Sequence, residues 1–252
     1  MKNLILCDDC EVKKVSAVCR QFGYGIEIQA FHKPSLYEET PEIINDYKKY
    51  IDKIEFVSMH APFADLNPGS SDPMLREVAR KRFELAYEIA TKLSISHIVF
   101  HIGYVPGTGI PKNWSGRCVN FWNEFLEGKS EKMNYYIENM LEKSPEILFD
   151  VIEGIDRPNV KVCLDIGHAH CNSTTSAADW IKYLKDKIGY VHMHDNHGEK
   201  DEHLGFGQGN IPLVEVFNLL IKYAPEAIWA LECKIDSQLD SVEFLKKNNF
   251  CI

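Results

Sequence analysis

Short apolar runs alternate with longer amphipathic stretches along the whole chain. The runs are rich in Val, Ile, Phe and Tyr, and this alternation is typical of βαβ units around a parallel sheet. We predict eight strands, at residues 3–7, 25–31, 54–60, 97–102, 134–138, 160–165, 189–194 and 228–233. Eight units in 252 residues leave about 31 residues for each, close to the length of a strand with its helix. The pattern therefore predicts an α/β fold, a closed (β/α)8 barrel.

The clearest predicted helix begins at Asp72 and Pro73. Aspartate is a favourable N-cap, and a proline in the first turn needs no backbone donor. Apolar residues then recur at steps of three and four, at Val78, Ala79, Phe83, Ala86, Ile89, Ala90 and Leu93. We expect this stripe to pack on the barrel. No flexible linker or change of composition divides the chain, so we predict one domain over residues 1–252.

Composition and charge narrow the class of protein. The chain is 45% hydrophobic and 26% charged, which is typical of a soluble globular protein. The net charge of −9 argues against a general basic surface for DNA or for an anionic membrane. No apolar run approaches the roughly 18 residues of a membrane span, and the first residues turn acidic too early for a secretory signal. We therefore expect a cytoplasmic protein that does not bind membranes.

The cysteines are too sparse for a disulfide scaffold of this size, and we interpret them as reduced thiols. They lie at positions 7, 10, 19, 118, 163, 171, 233 and 251. Cys7 and Cys10 have CxxC spacing, but no second CxxC exists to complete a four-thiolate zinc site, so packing is the favoured role. By strand alternation, Cys163 should point the same way as Asp165, one layer below it.

Histidines and carboxylates fall at the carboxyl ends of six consecutive predicted strands. These residues are His60, His101, Glu138, Asp165, His192 and Glu232, and His168, Asp201 and His203 follow in the adjoining segments. Imidazole nitrogen and carboxylate oxygen are ligands that Zn²⁺, Mn²⁺ and Fe²⁺ share. Barrel enzymes hold their chemistry at this face. We therefore predict a site there for one to three divalent metal ions, and the lack of thiols favours a catalytic site over a structural one.

Several short motifs carry a family resemblance. They include HAPF at 60–63, LDIGH at 164–168, VHMHD at 191–195 and DEHLGFGQGNI at 201–211. From the third strand to the eighth, the chain resembles the xylose-isomerase-like TIM-barrel superfamily. That superfamily includes sugar-phosphate isomerases and epimerases, and also the endonuclease IV branch of abasic-site nucleases.

The two branches imply different uses of the same residues. The isomerase and epimerase branch implies one metal on Glu138, Asp165, His192 and Glu232, with the two glutamates doubling as acid and base. The endonuclease IV branch implies three zinc ions. The ligand sets would be His60, His101 and Glu138 for the first, Glu138, Asp165, His192 and Glu232 for the second, and His168, Asp201 and His203 for the third.

Each branch predicts a distinct reaction. In an isomerase or epimerase, a divalent ion polarises a carbonyl and a hydroxyl while Glu138 and Glu232 move protons through an enediolate. In the hydrolase, clustered ions generate hydroxide and neutralise charge on a phosphodiester. DNA binding usually relies on Lys and Arg at the phosphates, and the loops after the second and third strands offer no basic track.

We therefore favour an isomerase or epimerase of a small sugar or sugar phosphate. The alternative is a zinc-dependent hydrolase acting at abasic sites in DNA, and a third hypothesis is a non-catalytic barrel that retains metal. Lys234 and Arg117 are predicted substrate contacts, and His194 is predicted as a substrate contact or as a partner of a metal ligand. Metal identity, substrate and oligomeric state stay open at this point.

Overall fold

A computed structural model describes residues 4–250 of the protein. Over that range, eight parallel strands pair in chain order, and the last pairs with the first to close a barrel. The strands are β1 (Leu4–Cys7), β2 (Gly25–Ile28), β3 (Val57–His60), β4 (His97–His101), β5 (Asn134–Glu138), β6 (Val160–Asp165), β7 (Ile188–Met193) and β8 (Ile228–Leu231). The predicted (β/α)8 barrel is confirmed.

Helices follow the strands along the chain and pack around the barrel. They are α1 (Val12–Phe22), α2 (Pro34–Glu39), α3 (Ile43–Ile51), α4 (Pro73–Leu93), α5 (Pro111–Leu126), α6 (Glu146–Gly154), α7 (Ile166–Cys171), α8 (Ala177–Leu184), α9 (Leu213–Tyr223) and α10 (Ile235–Lys247). Within residues 4–250, no helix combines the length and the hydrophobicity needed to cross a membrane.

Helix α4 begins where the sequence predicts. The Asp72 side chain accepts a hydrogen bond of 2.8 Å from the Met74 amide, which satisfies one of the free donors of the first turn. The predicted apolar stripe, which starts from Leu75, is buried except at Leu75 and Val78, which are half exposed in its first turns. Phe83 anchors the packed face, with its ring centroid 4.5 Å from that of Phe100 on β4.

Strand register aligns the polar ends of the strands. His101 pairs with Glu138 across β4 and β5, and Asp165 pairs with His192 across β6 and β7. Within each pair, the two residues therefore lie at the same height along the barrel axis. Below them, a cluster of buried side chains lies apart from the core under the helices and contains Ile5, Cys7, Val99, Tyr136, Cys163, Tyr190 and Ala230. Cys163 belongs to this cluster and has its thiol within 4.8 Å of donor atoms of Glu138 and His192, so it points into the barrel as Asp165 does, which the alternation predicts.

Candidate metal centre

A cavity of about 190 Å³ lies at the carboxyl ends of the strands. Its walls are acidic, imidazole-bearing or uncharged side chains, from Asp9, Cys10, Gln29, His32, His60, Phe63, His101, Glu138, Met140, His168, Asp201, His203 and Glu232. Seven of the nine predicted metal ligands line it. Asp165 and His192, the other two, lie fully buried beneath the cavity floor.

Glu138 lies at the centre of the site. Its Oε2 atom is 3.2 Å from Nε2 of His60 and 3.3 Å from Nε2 of His101. Its Oε1 atom is 3.1 Å from Nδ1 of His192. One carboxylate therefore faces two groups of imidazoles and could bridge two cations. Burial raises the pKa of Glu138, but the imidazoles of His101 and His192 outweigh it and hold the pKa well below its usual value.

Glu138, Asp165, His192 and Glu232 form a four-residue donor group. Each offers a ligand atom within 4.8 Å of the others. Glu138 Oε1 and Glu232 Oε2 lie 3.1 and 3.3 Å from His192 Nδ1. All three atoms are buried, and none makes a hydrogen bond. Buried polar atoms are rarely left unpaired, and a divalent cation would satisfy all three, so the donor set fits a metal ion.

A carboxylate that the sequence analysis missed holds His192. Nε2 of His192 lies 3.1 Å from both carboxylate oxygens of Glu27, at the third position of strand β2. Glu27 also accepts a hydrogen bond of 2.6 Å from the Tyr190 hydroxyl. This arrangement leaves Nδ1 of His192 as the free nitrogen, in the manner of a carboxylate–histidine–metal triad. A lone glutamate inside the apolar run Gly-Ile-Glu-Ile was the available signal.

Two side-chain amides that the sequence analysis also missed hold the carboxylate of Glu232 and the backbone of Asp165. Gln29, just after β2, donates from Nε2 to Glu232 Oε1 at 2.6 Å. The Asn139 side chain accepts from the amide of Asp165 and donates to its carbonyl, at 2.8 and 3.0 Å. Glu232 and Glu138 differ in the direction of their pKa shifts. Burial raises the pKa of Glu232, although the imidazoles of His192 and His203 oppose this shift. Paired carboxylates with opposite shifts are suited to acid and base roles.

The loop after β7 forms a third donor group. His194, Asp201 and His203 offer ligand atoms within 4.8 Å of one another. His168 is also close, with Nε2 at 3.3 Å from Asp201 Oδ2. His194 is fully buried and does not line the cavity. The structure thus places His194 among the donors, because its ring packs beneath the cavity rather than facing the space a substrate would occupy.

The other two predicted substrate contacts fall in different places. Lys234 lines a smaller recess beside Glu232 and His203, at the edge of the site. Arg117 does not line the cavity, because its Nε atom donates to the Gly69 carbonyl at 2.9 Å on the flank of the barrel. Phe63 lies at the mouth, where its ring stacks on His101 at 4.3 Å between centroids.

Comparison with known proteins gives one family. A family model described as "Xylose isomerase-like TIM barrel" matches residues 17–248. The uncharacterized protein MJ1311 of Methanocaldococcus jannaschii is 30% identical over 231 residues, which is 82% of this chain and 75% of that protein. A probable endonuclease 4 of Ureaplasma urealyticum is 26% identical over 185 residues, covering 64% of this chain and 59% of that protein.

Solved structures share the same architecture. A D-tagatose 3-epimerase-like protein superposes with a TM-score of 0.79 at 26% identity, covering 99% of this chain and 97% of that one. The IolI protein with a bound zinc atom gives a TM-score of 0.76 at 18% identity, covering 99% and 96%. D-allulose 3-epimerase from Methylomonas sp., in complex with D-allulose, gives 0.75 at 16% identity, covering 98% and 96%. Similarity at 16 and 18% identity shows the fold alone.

Proposed function

Because the chain belongs to the xylose isomerase-like TIM-barrel family, we propose that it is a divalent-metal-dependent isomerase or epimerase of a small sugar or sugar phosphate. One observation carries the proposal. Glu138 Oε1, Glu232 Oε2 and His192 Nδ1 are buried and unpartnered, and both oxygens lie within 3.3 Å of the nitrogen. This arrangement places two carboxylates that could transfer protons, those of Glu138 and Glu232, beside one candidate cation site.

The chemistry divides between the ion and the two glutamates. A divalent ion bound by Glu138, Asp165, His192 and Glu232 would polarise a substrate carbonyl and its neighbouring hydroxyl. One glutamate then removes the proton from the carbon beside the carbonyl, giving an enediolate. The other glutamate returns a proton, to the opposite face of the same carbon in an epimerase. The carboxylate of Asp165 is held in place because its Oδ1 atom accepts a hydrogen bond of 2.6 Å from the His168 backbone amide.

The cavity favours a small substrate over a polymer. About 190 Å³ suits a small molecule, and the lining side chains include neither Lys nor Arg to meet a DNA backbone. Lys234, in the adjoining recess, is the proposed contact for a phosphate on the substrate. The D-tagatose 3-epimerase-like protein, at 26% identity, supports the same substrate class.

The test is proton exchange with solvent. The protein, loaded in turn with Zn²⁺, Mn²⁺ or Fe²⁺, is incubated in D2O with a panel of ketoses and ketose phosphates, and deuterium incorporation is measured. We expect incorporation at a carbon beside the carbonyl. Glu138→Gln and Glu232→Gln should each reduce it by roughly 100-fold or more. Glu243→Gln, on the exposed face of α10 where the carboxylate pairs with Lys246 instead, is the matched control. Exchange that survives both substitutions, or its absence across the panel, contradicts the proposal.

A specific observation favours one second candidate, hydrolysis of phosphodiesters at abasic sites. His60 and His101 each lie within 3.3 Å of Glu138. These two imidazoles are additional to the four ligands that a one-ion isomerase would use. Multiple adjacent ions are typical of phosphodiester hydrolysis. Incubation of the zinc-loaded protein with an abasic-site oligonucleotide separates the two candidates. Cleavage that is lost in His101→Asn would establish the hydrolase, whereas the favoured proposal predicts an intact oligonucleotide.

A further inference from the structure

A second cavity lies on the flank of the barrel, between helices α4 and α5. Its volume is about 240 Å³, and it shares no lining residue with the cavity at the carboxyl ends of the strands. Three arginines line it, Arg76 and Arg80 from α4 and Arg117 from α5. We propose that this cavity, here called the arginine pocket, binds a small phosphate-bearing anion. The proposal does not depend on the reaction that the barrel catalyses.

Two of the guanidinium groups meet at one backbone oxygen. Nη1 of Arg76 donates to the Ser70 carbonyl at 2.7 Å, and Nε of Arg117 donates to the same oxygen at 3.2 Å. Nε of Arg117 also donates to the Gly69 carbonyl at 2.9 Å. Within residues 4–250, the other guanidinium nitrogens of both arginines make no hydrogen bond. The backbone therefore fixes both side chains in the wall of the pocket, and each keeps donors for a ligand.

The arrangement concentrates positive charge. Arg76 and Arg117 are only partly exposed, and neither forms an ion pair with a carboxylate in the described part of the chain. Arg76 also lies in the first turn of α4, where the helix dipole disfavours a cation. Two cations held side by side repel each other, and an anion between them replaces that repulsion with attraction. The pocket is thus positive in a chain whose net charge is −9.

The third arginine is shared with two carboxylates of the pocket wall. Nη2 of Arg80 lies 2.5 Å from Glu124 Oε2, and its Nε atom lies 4.0 Å from Glu77 Oε2. Both glutamate side chains are more than half exposed, so water screens their charge. The Arg80 guanidinium also lies over the ring of Phe121, at 5.1 Å from its centroid. Glu124 therefore competes with an incoming anion for Arg80, but it leaves Arg76 and Arg117 unneutralised.

The donor arrangement suits a phosphate better than a carboxylate. A carboxylate is planar and is matched by one guanidinium fork, whereas the several oxygens of a phosphate can face guanidinium groups on two helices at once. The pocket is also larger than a single ion, and Asn120 and Phe121 complete its wall. This room favours a phosphate monoester with a small organic group over free phosphate.

Isothermal titration calorimetry at low ionic strength tests the proposal. Zinc-loaded protein is titrated with inorganic phosphate and, separately, with glycerol 3-phosphate. We expect Arg76→Gln, Arg80→Gln and Arg117→Gln each to weaken binding of the anion at least 10-fold. Glu124→Gln should tighten it, because Arg80 loses the carboxylate that competes with the ligand. Tighter binding of glycerol 3-phosphate supports the monoester, whereas tighter binding of inorganic phosphate would overturn that choice and keep the site.

Two controls locate the bound anion. Arg20→Gln removes an arginine that donates to the Tyr50 carbonyl on another part of the barrel, and it should bind phosphate as wild type does. Lys234→Gln removes the cation of the recess beside Glu232, and it should also keep the affinity. Phosphate bound to zinc at the strand ends would remain in every arginine variant, so the difference from wild type isolates the pocket.

Arg80→Gln separates a lost ligand from a lost fold. Arg80 makes no hydrogen bond to the backbone of Gly69 or Ser70, so this variant stays informative if Arg76→Gln or Arg117→Gln unfolds. Failure of both anions to bind wild type would overturn the proposal. So would an affinity that folded arginine variants keep, or one that only Lys234→Gln loses.

Discussion

Glu27 is fully buried, and its carboxylate pairs with the imidazole of His192. Burial raises the pKa of this carboxyl group, but His192 outweighs it and leaves the pKa below its usual value, so the carboxylate stays ionised. We expect Glu27→Gln to weaken divalent-metal binding by roughly 10- to 100-fold, because the imidazole of His192 loses the group that orients it. Isothermal titration calorimetry with Zn²⁺ measures the metal affinity of the variant and of wild type.

Tyr190→Phe is the control for Glu27. It removes the hydrogen bond from the Tyr190 hydroxyl to the same carboxylate and leaves the contact with His192 intact. A smaller loss of affinity is expected from this variant. Equal losses in both variants would show that packing, rather than orientation of His192, determines the metal affinity.

Asp8, which lies outside the donor groups, should make the free energy of unfolding depend on pH. Burial raises its pKa to about 7, although its carboxylate accepts hydrogen bonds from the amides of Gln29 and Cys10. In the unfolded chain the pKa returns to about 4, so between those values the folded state binds more protons and stability falls as pH rises. Asp8→Asn should remove this fall. Relative to wild type, it should gain about 2 to 4 kcal/mol between pH 4 and pH 8.

Urea unfolding at pH 4, 6 and 8 measures this difference. Comparing the variant with wild type at each pH cancels the titration of other groups. A difference in unfolding free energy that stays constant with pH would mean that folding does not raise the pKa of Asp8.

At the scale of elements, the N-terminus of α4 depends on one side chain. We expect Asp72→Ala to lower the free energy of unfolding by about 1 kcal/mol, because the Met74 amide loses its acceptor. Asp72→Asn keeps an acceptor oxygen and should remain close to wild type. Urea denaturation compares the two variants, and equal stability of both with wild type would show that the cap contributes nothing.

Element type was more predictable than element bounds. Strands β5 and β6 begin and end where the sequence predicts, since each apolar run stops at a polar residue. The predicted strand at 25–31 ends at Ile28, because Ala30–His32 turns into a 3-10 helix. The apolar pattern continues through that turn, so hydrophobicity alone does not mark where strand pairing ends. The predicted strand at 3–7 begins at Leu4, and residue 3 lies outside the described part of the chain.

The donor residues were predictable because strand ends are visible in the sequence, while their partners were not. Glu27 and Gln29 lie on and just after β2, where only the closed barrel brings them to His192 and Glu232. The direction of a long side chain is equally hidden. Arg117 lies in α5, within the segment that follows β4, and its guanidinium group donates to the Gly69 carbonyl on the barrel flank.

At the scale of the whole molecule, the donors link six of the eight strands. An ion bound by the folded barrel alone stabilises it by about 2.7 kcal/mol at a hundredfold excess over Kd. For a chain of this size, chelation should therefore lower the melting temperature by roughly 5 to 10 °C. Differential scanning calorimetry with and without EDTA checks this, and re-addition of Zn²⁺ should restore the transition. An unchanged melting temperature would indicate that the donors hold no ion.

The central claim is that buried donors at the strand ends converge on a divalent cation. Anomalous diffraction from crystals grown with Zn²⁺ and recorded across the zinc edge tests it most directly. We predict a peak at about 2.0 to 2.2 Å from ligand atoms of Glu138, Asp165, His192 and Glu232. Full zinc occupancy elsewhere with no peak among these four residues, or side chains that point away from one another, would contradict it.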